Sequence, residues 1–151
     1  MSEVSSSQLV DASLAETWEY YFDPRRWQEW ADGFGSVVAS EGYPQGGGTL
    51  RWRSTAAGRG EVTETVLEHH PRSVHRVAFV DPQTEGELTT SFEIKGEGTL
   101  IEQRLAYRLT GGGIFGKVSD ALFIRSQQRR SMERSLLHLK HEVEESAHFA
   151  D

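Results

Sequence analysis

Two spacings of hydrophobic residues divide the chain. Over residues 117–147 no Pro or Gly intervenes, and Val118, Leu122, Met132, Leu136, Leu139 and Val143 recur near the 3.6-residue helical period. At 1.5 Å per residue this predicts a helix of roughly 45 Å. Upstream the period is two. Thr49–Thr55 puts Leu50 and Trp52 on one face and Arg51 and Arg53 on the other. Glu61–Leu67, Val74–Val80, Glu87–Ile94 and Thr99–Leu109 also read as strands, separated by turns rich in Gly, Pro and Asp. Val4–Ala12 and Ser36–Ser40 complete a set of seven, and the short links imply antiparallel pairing.

Between the first two strands the signals change. Ser13 and Glu16 form a capping box, in which hydroxyl and carboxylate each satisfy an otherwise free amide. A helix follows, with Leu14, Trp18, Tyr21 and Phe22 on one face. Asp23-Pro24 ends it and starts a second short helix to Ala31, closed by Gly33 and Gly35. The class is therefore α+β: seven antiparallel strands, two short helices between strands 1 and 2, and a long terminal helix.

At 151 residues the chain fits one domain, 1–151, able to bury most of its unfolded surface. It has no Cys, so disulfides and thiolate chemistry are excluded. A net charge of −7 argues against nucleic acid as a partner. No apolar run is long enough for a membrane span, and no basic-then-apolar leader is present, so a cytoplasmic location is expected, as monomer or homodimer.

Four stretches carry a resemblance: "DASLAETWEYYFDPRRWQEW" with its W-x-x-W helix, "GGGTLRWRS", "EVTETVLEHHP" and the terminal "SLLHLKHEVEE". Together with the element order they resemble the SRPBCC superfamily (START-like, birch-pollen-allergen-like), nearest the bacterial polyketide cyclase/dehydrase group, over residues 3–147. The resemblance implies a helix-grip fold, in which the sheet wraps the long helix around a cavity. It carries no universal catalytic motif, so the catalytic residues are unknown.

Several residues are candidates for that cavity. The helix's apolar stripe, traced back from Leu139 through Leu136 and Met132, meets Arg129 or Gln128 and then Arg125. A buried arginine needs a partner, and Glu64, which shares a strand face with Val62 and Val66, is the expected one. Gln103 and Tyr107 share a face with Ile101 and Leu105. Apolar walls with a few polar groups match ordinary ligand pockets. The candidate ligand-binding set is Trp27, Trp30, Trp52, Glu64, Phe92, Gln103, Tyr107, Phe123 and Arg129.

Other motifs read as structure. Gly111–Val118 fits G-x-x-x-x-G-K, but Val118 stands where a magnesium-binding hydroxyl belongs and no parallel sheet can form around it; a strand-to-helix hinge is the better reading. His138 and His141 point away from the apolar stripe, His69 and His70 read as surface, and His75 is ambiguous. No metal or cofactor is expected. The first function expected is binding of a hydrophobic or aromatic small molecule. The alternatives are a polyketide cyclase/dehydratase-type enzyme and a protein-interaction module.

Overall fold

The computed structural model describes residues 1–56, 58–110 and 118–149. Strands β1 (Ser2–Val10), β2 (Phe34–Glu41), β3 (Thr49–Ser54), β4 (Glu61–His70), β5 (Val74–Val80), β6 (Thr84–Lys95) and β7 (Gly98–Leu109) form one antiparallel sheet in the order β1-β7-β6-β5-β4-β3-β2. After β1 come α1 (Leu14–Tyr21), a 3-10 turn (Pro24–Arg26) and α2 (Trp27–Trp30). Helix α3 (Val118–Phe149) ends the described chain and packs on β1, α1 and α2. This is the helix-grip arrangement expected from the order of elements.

Local chemistry sets the boundaries. The Ser13 hydroxyl accepts from the Glu16 amide at 3.1 Å and donates to its carboxylate at 2.9 Å, which starts α1. Asp23 caps the following 3-10 turn by accepting from the Arg25 amide at 3.1 Å. Strands β4 and β6 run longer than their alternation predicts, because backbone pairing continues through Glu68–His70 and from Thr84. Gly86 is required on β6: a Cβ there would collide with the Ala106 carbonyl on β7.

The core divides in two. Val10, Trp18, Tyr21, Trp27, Trp30, Phe92, Ile101, Leu136, Leu139 and Val143 belong to one buried cluster. Val4, Val62, Phe79, Leu105, Tyr107 and Met132 form the other, and Trp52 packs against both. Each large side chain so buried contributes about 1.5–3 kcal/mol. The stripe on α3 holds from Met132 to Val143, but Leu122 is 61% exposed. The N-terminal part of α3 thus presents apolar surface rather than burying it.

Candidate functional site

Residues of both clusters line a cavity of about 170 Å³ enclosed by the inner face of the sheet, the helical segment after β1, and α3. The sheet supplies Leu50, Trp52 and Glu64 from β3 and β4, His75 and Val77 from β5, and Leu88, Thr90, Gln103 and Leu105 from β6 and β7. Tyr21, Trp27 and Trp30 close one side. Gln128, Ser131, Met132 and Ser135 of α3 close another.

Of the candidate residues, Trp27, Trp30, Trp52, Glu64 and Gln103 come together on this cavity. The other four lie elsewhere. Phe92 is buried beside it, edge-on to Trp18 at 4.8 Å and to Tyr21 at 5.4 Å. Tyr107 is buried in the second cluster with its hydroxyl unpaired. Phe123 is 58% exposed, on the same part of α3 as exposed Leu122. Arg129 is also exposed, one position off the inward stripe, and its place on the cavity is taken by Gln128. The expected Arg129–Glu64 pair is therefore not formed. The glycine-rich stretch 111–117 lies outside the described residues.

Glu64 instead accepts from Trp52 Nε1 at 2.9 Å. Burial raises its carboxyl pKa, and the Trp52 hydrogen bond and the Arg59 charge offset only part of that rise. Beside it is a neutral network. Gln103 Nε2 donates to the Tyr21 hydroxyl at 3.1 Å and to Thr90 Oγ1 at 3.3 Å, and those two hydroxyls are 3.0 Å apart. Burial pushes the Tyr21 phenol up to about 12, so it remains a hydrogen-bonding group and not a charge.

Three further features had no clear signal in sequence. Arg59 reaches the cavity with its guanidinium 5.7 Å from the Trp52 ring and 5.0 Å from that of Phe79. Asp81, almost wholly buried, holds it from Oδ2 at 2.8 Å (Nε) and 2.7 Å (Nη2). Asp32 ties the end of α2 to α3: its carboxylate accepts from Ser131 Oγ at 2.8 Å and its amide donates to Ser135 Oγ at 2.9 Å. The S-x-x-x-S spacing beside the apolar stripe was the only available hint of this staple.

His69, expected on the surface, is half-buried. Its Nδ1 lies 2.9 Å from Nδ1 of His75, and its ring packs on Trp18 and Phe22. The register across the bulge in β4 places His69 opposite His75. His75 is buried and lines the cavity beside Tyr43, its ring centroid 5.5 Å from that of Tyr43. Burial, and then the neighbouring His69, lower the His75 pKa to about 4. His138 and His141 lie on the exposed face of α3. Among the described residues no three His, Cys, Asp or Glu side chains are grouped to hold a metal, and no helix is long and apolar enough to cross a membrane.

An open antiparallel sheet closed over a cavity by one long helix defines a helix-grip protein. The profile of the family described as "Polyketide cyclase / dehydrase and lipid transport" matches residues 1–144, and the chain belongs to that family. The fold is also that of the Zhui aromatase/cyclase from Streptomyces sp. R1128, at 16% identity and a TM-score of 0.78, covering 95% of this chain and 93% of that one. TTHA0849 from Thermus thermophilus is 22% identical with a TM-score of 0.73, over 97% and 99% of the two chains. DynU16, from the dynemicin biosynthetic locus, is 19% identical with a TM-score of 0.69, over 96% of this chain and 48% of its own. No curated protein matches the chain significantly.

Proposed function

We propose that this protein binds a small hydrophobic or aromatic molecule in the cavity between its sheet and α3. The observation that carries the reading is a cavity walled by Tyr21, Trp27, Trp30, Phe34, Tyr43 and Trp52, with Glu64 and Gln103 as polar groups within. Apolar walls with a few placed polar groups are what ligand sites share. Volume decides the size class. A dry cavity of about 150 Å³ accepts benzene, whereas drug-sized sites run to about 300–1,000 Å³. At about 170 Å³ the cavity suits one ring with a short arm, or one end of a longer molecule.

The direct test is calorimetric titration with indole. One-to-one saturable binding is expected, and Leu88→Trp, which fills the cavity from β6, should weaken it by at least about tenfold, or 1.4 kcal/mol. Binding unchanged by Leu88→Trp would put the ligand elsewhere, and absence of binding would count against the container.

A second reading, a cyclase- or dehydratase-type enzyme, draws support from Glu64. A carboxyl with a raised pKa on a largely apolar cavity is a candidate general acid or base. On that reading Glu64→Gln loses turnover of a polyketide-like substrate while keeping its affinity. Turnover that survives the substitution removes Glu64 from the chemistry.

A further inference from the structure

Charge around the cavity is unevenly settled. Three charged side chains line it: Asp32, Arg59 and Glu64. Arg59 is committed to Asp81, with both Nε and Nη2 on its Oδ2. Asp32 accepts from Ser131 and has Arg134 at 3.8 Å. Glu64 forms no ion pair among the described residues; its one recorded partner is the neutral indole N–H of Trp52, on Oε2. Its Oε1 accepts no hydrogen bond among the described residues, and neither does the hydroxyl of Tyr43 on the same cavity. Glu64 is half-buried, so its Oε1 stays open to the cavity, and a cation carrying N–H donors is the partner that compensates a partly desolvated carboxylate there.

The walls fit the same ligand. Six aromatic residues surround the space, and aromatic rings attract ammonium groups as well as apolar ones. An anion would meet Glu64 and Asp32 without a free arginine to offset them. A neutral ring would satisfy the walls and leave Glu64 as it is.

We propose that the cavity takes a small organic amine, bound as the ammonium ion: the nitrogen donates to Glu64 Oε1, and a single ring or short apolar chain fills the space among Trp27, Trp30 and Trp52. This rests on the container reading above and names its ligand class.

The experiment compares 2-phenylethylamine with 2-phenylethanol, alike in shape and differing in charge, by calorimetric titration at pH 7 against the intact protein and Glu64→Gln. The amine should bind wild type at least about tenfold more tightly, the usual advantage of a charge-assisted hydrogen bond. Glu64→Gln should bring the two ligands within about twofold of each other. Equal or tighter binding of the alcohol to wild type overturns the amine assignment and leaves the container standing. A preference that persists in Glu64→Gln overturns it as well. Failure of both molecules to bind wild type counts against the container itself, and with it this inference. The wild-type comparison decides between the ligands whether or not the variant folds.

Discussion

Asp81→Ala should cost about 3–5 kcal/mol of stability, the range for removing one partner of a buried, hydrogen-bonded ion pair. Asp81 concentrates four hydrogen bonds on one side chain. Oδ1 accepts from the amides of Gln83 and Thr84, and Oδ2 from the Thr84 hydroxyl and from Nε of Arg59, with Arg59 Nη2 in ion-pair contact with the same oxygen. It therefore holds the β5–β6 turn and the cavity-lining Arg59 together. Burial alone would raise its pKa, but the Arg59 charge and the turn hydrogen bonds outweigh that and leave it lowered. The stability it provides is present at neutral pH and lost as pH falls through the folded-state value. Urea denaturation of the variant at pH 7 measures the effect. A loss below about 1 kcal/mol would show that solvent at the partly exposed Arg59 screens the pair as it does on an open surface.

Mild acid should weaken the protein through His75. The unfolded chain takes up this proton near 6.5, while the folded protein holds His75 neutral down to about 4. Between those values the unfolded state binds more protons, so stability falls as pH falls. The loss is on the order of 3 kcal/mol in full, most of it present by pH 4.5. Burial is the larger cause, and the second is His69, whose Nδ1 lies 2.9 Å from Nδ1 of His75 and disfavours charge on both rings. His69 is also lowered, by burial and then by His70, and works in the same direction. Glu64, whose pKa is raised, opposes them over part of the range. Denaturation curves at pH 7 and pH 4.5 should therefore separate strongly for wild type and much less for His75→Phe, which keeps a ring in the aromatic cluster. Equal separations in the two proteins would show that other groups carry the acid sensitivity.

The fold was legible because its signals are local. Alternation along β7 and β3, the Ser13 cap and the uninterrupted α3 each report a backbone period or a cap, and the structure realises them, except that the Glu16 carboxylate meets the Ser13 hydroxyl and not the Ser13 amide. The site was legible only where a side chain's direction follows from its element. Trp52, Glu64 and Gln103 sit on strands whose parity was read correctly, and they face the cavity. Helix phase is less forgiving. One residue on α3 is a rotation of about 100°, and that difference separates exposed Arg129 from cavity-lining Gln128. Tyr43 and Arg59 lie outside the regular strands, where no period tells which way a side chain turns. The His69–His75 contact depends on register across a bulge, which is set by tertiary pairing and not by either strand alone.

The four tryptophans provide the most direct test of a ligand-holding cavity. Trp27, Trp30 and Trp52 line it, whereas Trp18 packs against Phe22 and Phe92 outside it. In a heteronuclear NMR titration with indole, the indole N–H signals of the three lining residues should shift together and saturate at one equivalent, with Trp18 nearly unmoved. Shifts confined to Trp18 or to surface residues, or no saturable shift at any of the three, would contradict a cavity that holds a small aromatic molecule.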